Sequence, residues 1–119
     1  MPALTSDDLR LVHYYLLYPS FMLGLHPDYV LTHTVWPLSV STSRVVCEFL
    51  FRPEVSGAPG FDPADALEFW DLTNRQDWTL CERVQRGASS RGYRPGPYHA
   101  TERCVHAFDH WYAERLLAL

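Results

Sequence analysis

The chain has 119 residues, about one domain by length, and its 47% hydrophobic and 14% aromatic content is enough for a core. A net charge of -4 without any basic block excludes the electrostatic footprint of a nucleic-acid binder. No apolar run reaches membrane-spanning length and the first residues carry no signal-peptide pattern, so no membrane partner is expected. Residues 1–11 are polar and read as a loose lead-in. His13 to Tyr18, HYYLLY, is short and aromatic-rich and reads as a strand that Pro19 and Ser20 break. Phe21 to Leu25, FMLGL, is a second strand, with Gly24 marking a bulge or a close backbone approach. His26, Pro27 and Asp28 make a turn. Tyr29 to Trp36 is a third strand, with Tyr29, Leu31, His33 and Val35 on one face and Val30, Thr32, Thr34 and Trp36 on the other. Pro37 to Ser43 is a polar link. Arg44 to Arg52, RVVCEFLFR, is the clearest strand. Its Val45, Cys47, Phe49 and Phe51 share a face, as an antiparallel strand with one side on a core requires. Pro53 to Gly60 reads as a loop.

A long helix follows, from Asp62 to Gly87. Asp62 suits the N-cap, Pro63 the first helical position, and Asp65 and Glu68 the positive end of the dipole. Gly87, after Arg83 and Arg86, suits the C-terminal stop. Ala66, Trp70, Thr73, Asp77, Leu80, Cys81 and Val84 recur at steps of three and four and share one face. Asp77 is the one acidic residue on that face. A helical aspartate is usually solvated or paired with a neighbouring arginine, here Arg75 or Arg83. On an inward face it is costly unless a cation or a metal takes it. Residues 88–97 are irregular by composition. A last helix runs from about Thr101, a candidate cap, to Leu117, with Val105, Phe108, Tyr112 and Leu116 as its stripe.

Strands followed by helices predict an α+β domain, a curved antiparallel sheet of about four strands packed on a long helix, plus a C-terminal helix. Four strands leave two open edges with nothing to cover them, so the sheet looks like part of a larger one and the chain is expected to aggregate when expressed alone. Cys47, Cys81 and Cys104 are odd in number and widely spaced, with no CxxC pair and no zinc spacing. That usage fits a reduced, cytoplasmic compartment.

At NRQDWTLCERVQRG the chain resembles the C-terminal region of Rieske-type ring-hydroxylating oxygenase α subunits, on Asp77 followed eight positions later by Gln85 and then by Gly87. LLYPSFMLGLHPDYVLTHTVWP at Leu16–Pro37, RVVCEFLF at Arg44–Phe51, FWDLTNRQDW at Phe69–Trp78 and SSRGYRPGPYHATE at Ser89–Glu102 agree with it in the same order. In detail the chain looks most like the glycine betaine monooxygenase branch. The resemblance implies a helix-grip fold of the START/Bet v1 kind. It implies a mononuclear Fe(II) held by two His and one Asp, an arrangement that leaves positions open for O₂, with Asp77 as the matching Asp. It also implies a 2Fe-2S Rieske cluster in a separate domain, a ferredoxin or flavin reductase as electron donor, a small organic substrate that is hydroxylated or demethylated, and a homotrimer.

The departures carry equal weight. The two iron-binding His of the family lie upstream of the matched region. A Rieske cluster needs a Cys-x-His and a Cys-x-x-His pair together; Cys104, Val105 and His106 have the first spacing, but Cys47 and Cys81 precede glutamates and no Cys-x-x-His accompanies them, so the cluster set is missing. The chain therefore reads as the C-terminal portion of a catalytic domain, over residues 1–119, with one of three iron ligands and no cluster ligands; by itself it is expected to be inactive. His106 and His110 stand four apart on a helix, a spacing that binds metal, but no HExxH carboxylate accompanies them and Asp109 lies off their face. His33 reads as a hydrogen-bonded or pocket-lining residue. Tyr14, Trp36, Phe49, Trp70, Trp78 and Tyr93 can line a pocket, and aromatic faces attract quaternary ammonium ions, yet each serves as readily to fill a core. A helix-grip module that binds a small apolar or cationic ligand without chemistry is the alternative; it gains nothing from an inward Asp77.

Overall fold

The computed structural model describes residues 4–119; the first three residues of the expected lead-in lie outside the described residues. The rest of that lead-in contains a 3₁₀ turn, Asp8–Arg10. The Thr5 backbone N–H and hydroxyl both donate to the Asp8 carboxylate, at 2.8 and 2.6 Å, which holds that carboxyl below its ordinary range.

Four strands follow: β1 (His13–Leu17), β2 (Phe21–Leu25), β3 (Tyr29–Pro37) and β4 (Ser43–Phe51). They form one antiparallel sheet in the order β1-β2-β3-β4. Each turn is short, so each strand pairs with the next in the chain. The β2–β3 turn closes with the His26 N–H donating to the Tyr29 carbonyl at 3.0 Å, and the β3–β4 turn with the Leu38 N–H donating to the Thr42 carbonyl at 2.9 Å. The expected alternation holds across the sheet. Tyr14, Gly24, Leu31 and Phe49 stand in one cross-strand row, and Leu16, Met22, His33 and Cys47 in another on the same face. Thr32 and Glu48 pair on the opposite face, where the Thr32 hydroxyl donates to the Glu48 carboxylate at 3.3 Å.

Gly24 sits in an unbroken ladder on both sides, so it is a close approach and not a bulge. A Cβ there would meet Tyr14 Cε1 at 3.2 Å. The Tyr14 ring thus covers the gap that a side-chain-free residue leaves in a strand. Burial is concentrated at this point: Leu31 is 1% exposed, and only Leu31 and Ala66 are buried apolar side chains among the described residues. Among the described residues no further strand pairs with β1 or β4 at the edges of the sheet. Every residue of β1 is exposed, and β4 alternates between exposed and half-buried positions.

The expected loop after β4 begins instead with a single helical turn, α1 (Pro53–Ser56). Pro53 has its φ preset for a first helical position, and the Gly57 N–H caps the turn by donating to the Pro53 carbonyl at 3.0 Å. The C-terminal helix α3 (Arg103–Leu117) groups with the sheet in one compact unit. Phe108 and Trp111 both bring their rings to 5.2 Å from Tyr18, at the end of β1. Aromatic pairs of this geometry add about 0.5–1.5 kcal/mol beyond their buried area. Thr101 does not cap α3. Its hydroxyl lies 2.9 Å from His99 Nδ1, while the Glu102 carboxylate accepts from the His99 N–H at 2.5 Å ahead of the helix.

Residues 59–103 form the second unit, whose regular element is the long helix α2 (Ala64–Ala88). It starts one turn position later than expected. Pro63 occupies the N-cap and Asp62 acts from outside it, accepting the Ala64 N–H at 2.9 Å. A proline cannot donate, so the aspartate bonds the first N–H beyond it. Gly87 does not stop the helix. It is an ordinary helical residue, and Ser89 ends α2 by donating its N–H to the Gln85 carbonyl at 3.0 Å. The only left-handed glycine among the described residues is Gly60, at φ 81°.

Candidate functional site

The α2 stripe fulfils its pattern over only part of its length. Ala66 and Asn74 are buried, and Trp70 and Thr73 are half-buried, at the expected steps of three and four. Beyond Asn74 every residue of the helix is exposed, including Asp77, Leu80, Cys81 and Val84. The expected inward apolar face therefore stops short of Asp77. The second unit consists of α2 and irregular chain, and supplies no second layer of its own against these turns. Arg75 does not pair with Asp77. It bonds Asp71 one turn back at 2.7 Å, in an exposed i,i+4 pair that lowers the Asp71 carboxyl through that hydrogen bond.

On the sheet, His33 is half-buried beside Cys47 and Met22 in the expected face. His26 does more than occupy its turn. Its ring stacks on Tyr29 with centroids 4.3 Å apart, and the Tyr14 ring meets it edge-on at 6.0 Å. Tyr29 in turn lies 5.9 Å from Phe49 and 5.8 Å from Phe51. Half-burial in this aromatic setting pushes the His26 imidazole below its ordinary value, and Asp28 opposes the shift in part. The sequence signal for this cluster was the period of two that puts Tyr29, Phe49 and Phe51 on one face; the closure of the turn that brings His26 onto it is not a periodicity. Arg52, Pro53, Glu54 and Val55 border an open depression of about 500 Å³.

Among the described residues no three His, Cys, Asp or Glu side chains stand together so as to hold a metal ion. Asp77 supplies one anionic oxygen of the kind Fe(II) takes, but the donor set of a two-His, one-carboxylate site is not assembled from this chain. Cys47 is half-buried and Cys81 and Cys104 are exposed, and none of them joins such a group, so no cluster site is assembled among the described residues either. These residues by themselves do not make an iron or iron–sulfur centre.

A family model described as the catalytic domain of the ring-hydroxylating α subunit matches residues 1–118. The chain belongs to the ring-hydroxylating α-subunit family. The glycine betaine monooxygenase oxygenase subunit of Pseudomonas aeruginosa is 41% identical over 91 residues, which cover 76% of this chain and 21% of that protein. The protein of the same name from Chromohalobacter salexigens is 31% identical over 119 residues, 99% of this chain and 26% of its own length. The chloroplastic choline monooxygenase of Arabidopsis thaliana is 33% identical over 95 residues, 80% of this chain and 22% of its length. The chain thus spans about a fifth to a quarter of the curated relatives it matches. No solved structure matches it at a significant level. The family assignment agrees with the α+β architecture of a four-stranded antiparallel sheet with helices. No helix among the described residues is long and apolar enough to cross a membrane.

Proposed function

We propose that this chain is the C-terminal portion of the catalytic domain of a Rieske-type oxygenase α subunit that oxidises a small quaternary ammonium compound of the glycine betaine or choline kind. The observation that carries the reading is the similarity to glycine betaine and choline monooxygenases over most of the chain. In the whole enzyme the iron and the cluster supply O₂ activation and electron delivery, fed by a ferredoxin or flavin reductase. The Rieske domain and the two-His segment lie outside these residues, and the working assembly is a cytoplasmic homotrimer.

Asp77 is the contribution of this chain to the iron site. Its motif, with Gln85 and Gly87 behind it on α2, supports that role. An exposed helical carboxylate without its arginine neighbour is available to a cation brought by the rest of the protein. The isolated 119 residues bind Fe(II) poorly and turn nothing over.

The test is Asp77→Ala in the longer protein that carries this sequence. Iron content falls to background, betaine demethylation is lost, and the cluster absorbance stays. Normal mononuclear iron occupancy in that variant would remove Asp77 from the site. NAD(P)H-coupled oxygenation by the purified chain with its reductase would overturn the division of labour. Binding of small quaternary amines by the chain in the absence of iron, undisturbed by Asp77→Ala, would instead favour a ligand-binding module.

A further inference from the structure

Helix α3 has two unlike sides. Phe108 and Trp111 reach Tyr18 at the sheet, and both are half-buried. His106, His110 and Glu114 follow one another at steps of four, roughly opposite Phe108, and all three are exposed. The His106 and His110 rings lie with centroids 6.3 Å apart and planes at 53°. His110 Nδ1 lies 3.4 Å from Glu114 Oε1. That contact favours the tautomer whose Nδ1–H donates to the carboxylate, which leaves the Nε2 lone pair pointing away from Glu114.

From this stripe we infer that His106 and His110 form a two-imidazole surface site for a borderline divalent transition ion such as Ni²⁺, Cu²⁺ or Zn²⁺, with Glu114 orienting the second ring. Imidazole is the side chain that these ions favour, and two of them one helical turn apart reach a single ion from one rigid element. The geometry needs little adjustment. A tetrahedral ion about 2.1 Å from each ring nitrogen requires centroids about 5 Å apart. The observed 6.3 Å lies about 1 Å beyond that, and both residues are exposed. A carboxylate behind a ligating imidazole fixes its tautomer and ring orientation. Water completes the shell, since no third protein ligand stands within reach among the described residues. The ion ties two successive turns of α3 together, so it binds the helical form and stabilises it by mass action.

The experiment is calorimetric titration of NiCl₂ into the untagged 119-residue chain with its thiols reduced, alongside melts with and without the ion. The wild type takes up one ion per chain, and the ion raises its melting temperature. His106→Gln and His110→Gln each weaken binding at least tenfold, and Glu114→Gln weakens it by a smaller factor. His99→Gln, in the segment before α3, binds as the wild type does. Absence of saturable binding, or wild-type affinity in either variant of the pair, overturns the site. A proton spectrum guards against a variant that loses its helix. In the wild-type chain Ni²⁺ broadens the ring resonances of His106 and His110 before those of His13 and His99; uniform broadening of all of them overturns the site equally.

Discussion

Leu31 is the most informative single position for stability. It lies in the first half of β3, between Gly24 of β2 and Phe49 of β4 in register, and it is 1% exposed. Leu31→Ala removes three carbons from a site with no solvent access. At about 0.8 kcal/mol per buried carbon the transfer loss is about 2.4 kcal/mol. The unfilled space adds to it, which puts the total at roughly 3–4 kcal/mol within the range for such truncations. A domain of this kind has only about 5–15 kcal/mol in all. The loss weighs more here because Leu31 and Ala66 are the only buried apolar side chains among the described residues. Leu31→Val removes one carbon and costs about 1 kcal/mol. Val40→Ala, at the fully exposed β3–β4 turn, stays within about 0.5 kcal/mol. Urea unfolding of the three variants, followed by tryptophan fluorescence, gives the order Ala, then Val, then the surface control. A Leu31→Ala cost below about 1 kcal/mol, with the cooperativity of the transition unchanged, refutes the view that this sheet row is the core.

Two further perturbations address the aromatic cluster, and one the site. Tyr14→Ala and Gly24→Ala are non-additive by at least about 0.5 kcal/mol in a double-mutant cycle, because the ring covers the position where the new Cβ would go; additivity would show that the ring lies elsewhere. Burial lowers the His26 imidazole in the folded chain, so on acidification the unfolded chain takes up its proton first. Stability is therefore complete above the ordinary histidine range, falls as pH drops through about 6.5, and levels off once the folded imidazole also titrates. Urea midpoints from pH 8 to pH 5 measure that slope; His26→Phe flattens it and Asp28→Asn steepens it. In the longer protein, Asp77→Ala gives iron-free but cluster-bearing enzyme, read by metal analysis beside the visible spectrum.

Much of the fold is local in origin and was legible in the residues. Strand faces follow from a period of two that each strand carries within itself, which is why Val45, Cys47, Phe49 and Phe51 share a side as expected. Short turns such as His26-Pro27-Asp28 leave a strand no partner but its neighbour, so the meander order was legible too. The family was readable from the ordered stretches around Asp77, because motifs are linear. Helix ends were less so. Asp62, Gly87 and Thr101 are the residue types that cap, but which backbone N–H or carbonyl they meet depends on one or two residues of phase.

Burial is what the tertiary structure alone decided. Tyr14 and Leu31 stand in one cross-strand row on the same face, yet Leu31 is sealed in mid-sheet and Tyr14 is exposed on an edge strand, because burial is set by what lies across from a side chain and not by what flanks it. The same non-local rule leaves the α2 stripe covered as far as Asn74 and exposed at Asp77, and it turns His26 from a turn residue into the filling between two tyrosines.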